Sequence, residues 1–293
     1  MSLLEVRDLT VAFGSTDVVR GVSFTVETGE RVCLIGESGS GKSMTAMAIQ
    51  GLLPRGARVT GSIRFEGREL VGASDAEFQK IRGRRIGCIF QEPHTALNPV
   101  VRIKHQLVAA SRIHAGLKKS ATAQRASELA RMVELPSPEN IINRFPHELS
   151  GGQRQRVVIA MAMSLAPALL IADEPTTALD ATVQAHILQL MDDAAREHGT
   201  AVLMITHDMA VAYHTSERIL VLRRGELVEE GSAADILLRP AHPYTQGLVA
   251  AARATSLQRP AAVCGQAGVG EAQVVAPELG EQQGLAVHGG DQS

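Results

Sequence analysis

The sequence predicts an α/β fold built on a mostly parallel sheet, with an antiparallel β segment at its start and a helical insertion near its middle. Three observations carry that prediction. A compact apolar run, Arg31 to Ile35, leads straight into Gly36-Glu37-Ser38-Gly39-Ser40-Gly41-Lys42-Ser43 and then into a helical stretch, Lys42 to Leu52. From Gln153 onward, short apolar strands alternate with helical segments, the pattern of a parallel sheet with helices on its faces. Between Asn98 and Phe145 the periodicity is helical alone.

Taken in order, Leu3 to Phe13 and Val18 to Val26 alternate as two strands around a turn at Gly14 to Asp17. Ser74-Asp75-Ala76-Glu77 has the form of a capping box before a short helix, and Ile86 to Phe90 reads as the next buried strand. Val100 to Ala115 and Ser120 to Leu135 mix polar and apolar residues at helical spacing, which predicts a helical subdomain over about 98–165. Val157 to Ala172 carries no charge, yet it is shorter than a bilayer span and holds Pro167. It therefore reads as a buried helix to Leu165, a turn, and a buried parallel strand, Ala168 to Ala172. A helix over Ala181 to Glu197, a strand over Ala201 to Ile205, and two strands, Ile219 to Leu222 and Glu226 to Glu230, around the Arg224-Gly225 turn follow, with a helix starting at Ser232. No aromatic residue follows Tyr244, and positions 251–293 are rich in Gly, Ala and Gln, which predicts a main domain over 1–250 and a mobile C-terminal extension.

Composition narrows the function classes. The chain has 293 residues and 45% hydrophobic content, enough for a good core, and its net charge of -2 provides no broad basic face for gripping nucleic acid. Its three cysteines, Cys33, Cys88 and Cys264, are scattered, and the first two sit in apolar strand-like runs, so buried free thiols in a reducing compartment are expected. The sequence does not open on a charged-then-apolar leader, so export is not expected.

The Gly-x4-Gly-Lys-Ser loop has a clear chemistry. Glycines let backbone N–H groups turn inward around phosphate oxygens, and the N-terminus of the following helix adds a favourable dipole. Lys42 can reach the β- and γ-phosphates and the Ser43 hydroxyl can ligate Mg²⁺. Leu169-Leu170-Ile171-Ala172-Asp173-Glu174 is an apolar strand ending in two carboxylates, which repel unless a cation or separate environments keep them apart. Asp173 would hold Mg²⁺ and Glu174 would act as general base, the alternative being a solvated strand end that starts a helix at Pro175. Gln91 and His207 each follow a predicted strand, at the sheet edge where open α/β folds bind ligands. His207 would touch a γ-phosphate, or else be a structural side chain; the Gln91 amide can ligate Mg²⁺.

The order and spacing of the phosphate loop (Gly36 to Ser43), Gln91, Leu149-Ser150-Gly151-Gly152-Gln153, the Asp173-Glu174 strand, Ala178-Leu179-Asp180 and His207 resemble an ABC-type ATPase domain over roughly residues 3 to 250. The resemblance implies a P-loop NTPase core with ATP and Mg²⁺ as cofactors. It further implies a head-to-tail pair of such domains, each ATP lying between one subunit's loop, together with Met44 after it, and the partner's Ser150, Gly151, Gly152, Gln153 and Asp180. Phe13 matches the position that stacks on adenine, although the family more often shows Tyr there and a core role is the alternative. Phe90-Gln91-Glu92-Pro93-His94-Thr95-Ala96-Leu97-Asn98-Pro99 and His242-Pro243-Tyr244-Thr245 are similar to segments of oligopeptide, dipeptide and nickel importer ATPases. Some of those carry a cysteine cluster near the C-terminus, whereas only Cys264 is present here, so an iron–sulfur site is not expected.

The implied partners are a second ATPase subunit of the same or a related chain, two transmembrane permease subunits and an extracytoplasmic substrate-binding protein, with the chain peripheral on the cytoplasmic face of the inner membrane. A soluble ABC ATPase acting on DNA or ribosomes is the reading from another class. It would bring two cassettes, a long coiled coil or zinc-binding insertions, none of which the sequence displays. An exporter ATPase shares every catalytic motif and differs only in the two subfamily strings.

Overall fold

The computed structural model describes residues 2–90, 96–176 and 180–257. In chain order its elements are β1 (Ser2–Phe13), β2 (Thr16–Glu27), β3 (Arg31–Ile35), α1 (Lys42–Gln50), β4 (Ala57–Phe65), β5 (Arg68–Glu69) and α2 (Asp75–Ile81). Then come β6 (Ile86–Ile89), α3 (Ile103–Leu107), α4 (Ala109–His114), α5 (Thr122–Met132), α6 (Pro138–Ile141), α7 (Gly151–Met163), β7 (Leu169–Asp173) and α8 (Ala181–His198). The chain closes with β8 (Ala201–Thr206), α9 (Met209–Thr215), β9 (Arg218–Arg223), β10 (Glu226–Ser232), α10 (Ala233–Leu238) and α11 (Pro243–Leu257).

The strands form two sheets. One is antiparallel, in the order β2-β1-β4-β5; the other runs β10-β9-β3-β8-β7-β6, with β10 alone antiparallel to its neighbour. Strand alternation divides the interior between two faces of the second sheet. Val32, Leu34, Leu169, Ile171, Leu203 and Ile205 pack with α1 and the antiparallel sheet, whereas Cys33, Ile35, Leu170, Ala172, Val202 and Met204 pack with the helices of the other face. Five parallel strands therefore carry their C-terminal ends to one edge.

The antiparallel sheet is larger than the sequence predicts, because β4 and β5 are added to it. Gly61 interrupts the alternation of β4 and leaves two short apolar pairs on either side, too weak a signal to announce a strand. In the structure it faces both Asp8 and Leu9 across a bulge, since Arg7 pairs with Ser62 and Thr10 with Thr60. Its φ of +91° and the 2.4 Å that would separate an added Cβ from the Asp8 carbonyl oxygen restrict the position to glycine.

The helical stretch expected over Val100 to Ala115 is two helices, broken at Val108, and together with α5 and α7 it buries Ile103, Leu107, Leu129, Ala130 and Val157. The uncharged run 157–172 resolves into the end of α7 and β7, and no helix among the described residues is long and apolar enough to cross a membrane. Ser74 caps α2 through the predicted capping box, and Ser232 caps α10. The boundary expected at 250 falls inside α11, a helix that the sequence reading did not anticipate. Cys33 is buried and Cys88 half-buried, both free thiols; burial pushes each up to about 12. Cys264 and the rest of 258–293 lie outside the described residues.

Candidate active site

The loop after β3 closes tightly because its first glycine leaves no room for a side chain: a Cβ on Gly36 would sit 2.1 Å from the Leu222 carbonyl oxygen. The chain then passes the exposed Glu37, Ser38 and Gly39 and the buried Ser40 before Gly41 caps α1. Ser40 is fastened from outside by the Gly225 N–H, which donates to its carbonyl at 3.0 Å. Lys42 is folded back into the loop. Its Nζ donates to the Gly36 and Glu37 carbonyls at 2.8 Å each and to Ser40 Oγ at 3.4 Å, and the residue is only 6% exposed. Burial lowers the Lys42 pKa, and the negative charges of Glu174 and Asp173 oppose that shift. Ser43 and Met44 follow, both half-buried, with Met44 packed on the core beneath the antiparallel sheet.

β7 delivers Asp173 and Glu174 to the same edge. Burial raises the Asp173 pKa, and the neighbouring Glu174 adds to that shift, while the Ser43 hydroxyl and the Lys42 charge pull the other way. Asp173 Oδ1 is buried without a hydrogen-bond partner among the described residues. Glu174 adopts a φ of +46°, unusual for a residue with a side chain, and its N–H donates to the Ile205 carbonyl at 2.9 Å, which locks the backbone against β8. The side chain thereby meets His207, which follows β8: Glu174 Oε1 lies 2.9 Å from His207 Nδ1. An ionised carboxylate only accepts, so toward ionised Glu174 the donor is Nδ1, on a ring that is 57% exposed. Asp208 then caps α9 through Ala210 N–H at 2.8 Å, fixing the turn that holds His207.

The donor set suits a divalent cation. Mg²⁺ takes oxygen ligands and keeps water, and here a carboxylate oxygen with no partner among the described residues belongs to a side chain that meets the Ser43 hydroxyl and the Lys42 charge.

Leu149 to Gln153 form the start of α7. Ser150 caps that helix: its Oγ accepts the Gln153 N–H at 3.3 Å, and Gln153 Oε1 accepts the Ser150 N–H at 3.0 Å. This is a Ser-x-x-Gln capping box, which the sequence reading passed over, placing the helix start at Gln153 instead of Gly151. Leu149 is buried and Ser150 exposed, with Gly151, Gly152 and Gln153 half-buried between core and solvent. An added Cβ on Gly152 would stand 3.1 Å from Val183 Cγ1, and Val183 N–H in turn donates at 3.0 Å to Asp180, the cap of α8. Asp180 and the Ser150 segment are thus neighbours through Val183. Phe13 ends β1, half-buried against the core.

The structure brings Lys42, Ser43, Asp173, Glu174 and His207 to one sheet edge. Gln91, with the rest of 91–95, and Ala178-Leu179 lie outside the described residues. One further residue reaches the site with no local sequence signal for it: Tyr244, whose hydroxyl accepts the Glu37 N–H.

Known proteins share this arrangement. The family described as ABC transporter matches residues 19–177. The oligopeptide transport ATP-binding protein OppD of Bacillus subtilis (strain 168) is 48% identical over 254 residues, covering 85% of this chain and 71% of that protein. Its Escherichia coli (strain K12) namesake is 43% identical, covering 85% and 75%. Among solved structures, a dimeric post-hydrolysis ATP-binding cassette bound to ADP and phosphate is 31% identical, with a TM-score of 0.68 over 78% of this chain and 98% of that one. Sheet order, loop, paired carboxylates and sequence similarity agree: this chain belongs to the ABC transporter family and is an ATPase of that family.

Proposed function

We propose that the chain is the ATP-hydrolysing subunit of a bacterial importer, energising uptake of peptides, or of nickel or metal chelates, through separate permease subunits. Similarity to oligopeptide transport ATP-binding proteins supports peptides, as does 45% identity to the glutathione import ATP-binding protein GsiA of Pectobacterium atrosepticum, of which this chain covers 43%. The observation that carries the catalytic reading is the convergence of Lys42, Asp173, Glu174 and His207 on one edge, with a buried carboxylate oxygen left unsatisfied.

In this reading Gly36 to Ser43 cradle the phosphates of ATP with backbone N–H groups, and Lys42 exchanges its carbonyl partners for phosphate oxygens. Ser43, Asp173 and Gln91 would hold Mg²⁺, which when bound neutralises phosphate charge. Glu174 accepts the proton of a water as its oxygen bonds to the γ-phosphorus and the bridge to ADP breaks, releasing ADP and phosphate. His207 would orient Glu174 through Nδ1–H and donate to the γ-phosphate from Nε2, which requires a proton on both ring nitrogens. Phe13 stacks on the adenine.

A second ABC ATPase subunit, of this chain or a related one, supplies Ser150, Gly151, Gly152, Gln153 and Asp180 from the opposite side, with the N-terminus of α7 directed at the nucleotide. Closure of the pair on ATP and its opening after hydrolysis are passed through the Gln91 segment to two transmembrane permeases, loaded by an extracytoplasmic substrate-binding protein. The chain sits peripherally on the cytoplasmic face of the inner membrane.

Glu174→Gln tests the assignment. The amide keeps the shape of the carboxylate and cannot accept a proton, so ATP turnover falls at least ~100-fold while ATP stays bound in a closed dimer visible by size-exclusion chromatography. Wild-type turnover in that variant removes Glu174 as the base.

A further inference from the structure

The Gly36-Glu37 peptide is gripped from two sides. Lys42 holds its flanking carbonyls, and the Tyr244 hydroxyl accepts the Glu37 N–H at 2.9 Å across 207 positions of sequence. Tyr244 is itself built into place. Its ring lies under the Arg223 guanidinium, 4.9 Å from the ring centroid, and its own N–H donates to His242 Nδ1 at 3.1 Å. The chain just ahead of it is clamped by Glu229 of β10, which accepts the Ala241 and His242 N–H groups at 2.7 and 3.0 Å. Glu37, Ser38 and Gly39 are exposed, so little packing supports this outer rim of the loop.

Lys42 has three N–H donors, and its three hydrogen bonds within the loop occupy them all. Engaging a phosphate requires it to release at least one of those partners, at the moment when the loop must keep its shape. The Tyr244 contact is independent of that exchange. Burial also raises the Tyr244 pKa, so the phenol stays protonated and neutral across the physiological range. We propose that Tyr244 is a positioning residue of the phosphate loop, which makes the start of α11 part of the nucleotide site. Without the hydroxyl the loop spends less time in the cradling shape, and apparent affinity falls by that fraction.

This rests on the reading that Gly36 to Ser43 hold the phosphates, and the test separates the two. In the full chain, Tyr244→Phe keeps the ring and its stacking on Arg223 and removes only the acceptor. Loss of a neutral hydrogen bond of ordinary strength weakens Mg-ATP binding about fivefold in a nucleotide-displacement titration. Amide hydrogen exchange across 36–40 accelerates, while exchange in α5 is unchanged. Tyr244→Leu, which also loses the stacking, weakens binding further. Wild-type affinity in Tyr244→Phe, with or without a lowered Tm, overturns the inference, as does unaltered exchange at 36–40. Lys42→Ala runs beside it. If that variant loses ATP while Tyr244→Phe binds normally, only the role of Tyr244 falls; if Lys42→Ala binds normally, the phosphate-loop reading falls and this inference with it.

Discussion

In the proposed site Asp173 would be a charge kept for a ligand. Among the described residues its buried Oδ1 has no hydrogen-bond partner, and burial raises its pKa, which disfavours the ionised form. The sign follows from linkage: a carboxyl with a raised folded pKa binds more protons folded than unfolded, so it costs stability as pH rises through the window above the ordinary aspartate value. Asp173→Asn removes that cost and leaves a group of the same shape. The variant should melt about 2–4 °C higher than the wild type at neutral pH without nucleotide, and the gain should shrink in acid, where Asp173 is already protonated. Mg-dependent turnover should be lost. Differential scanning fluorimetry across pH checks it, and a lower Tm at neutral pH would contradict it. Lys42, Ser43, Asp173, Glu174 and His207 were legible in the sequence because each stands at the end of an apolar strand or in a loop of fixed spacing. The contact from Tyr244 to Glu37 was not, since no periodicity links residues brought together only by the tertiary fold.

At the scale of the element, α7 shows how one residue type can serve two ends. Ser150 closes the helix start with Gln153, and in the proposed pair it also faces the partner's γ-phosphate. The two roles come apart by substitution. Ser150→Ala loses the cap and should cost about 1 kcal/mol of stability. Ser150→Asp keeps a good cap, and its negative charge suits a helix N-terminus, so stability should hold; a carboxylate aimed at phosphate should nevertheless abolish turnover. Urea melts paired with ATPase assays check both, and full activity in Ser150→Asp would remove this helix end from the site. The capping box was written in Ser-x-x-Gln and was obscured by the two glycines between, which read as loop. β4 was obscured differently: Gly61, needed for the bulge against Asp8 and Leu9, cut its alternation in half. β7 and β8 were plain because strands buried on both faces are apolar throughout.

For the molecule as a whole, the sheet order explains why distant motifs act together. β3, β7 and β8 are adjacent and parallel, so the loop at Gly36, the carboxylates at 173 and 174, and His207 leave the sheet on one edge. The motifs implied that convergence through the resemblance, whereas strand order itself depends on crossovers that local pattern does not encode. The Ser150 segment belongs to the helical insertion, outside that edge set, with Ser150 exposed at the helix start. In the proposed pair, the phosphate cradle and the separate exposed helix N-terminus would be two half-sites, each completed by the other chain. Mixing tests this directly. Chains with Lys42→Ala cannot hold ATP in their own loop, and chains with Ser150→Asp spoil the site of their mate, so each variant alone should be inactive. In a mixed pair the intact loop of the Ser150→Asp chain meets the intact helix end of the Lys42→Ala chain. With random pairing half of the dimers are mixed and each holds one sound site, so an equal mixture should recover about a quarter of wild-type ATPase activity if the sites act independently. An equal mixture no more active than either variant alone would show that the two half-sites do not combine across chains.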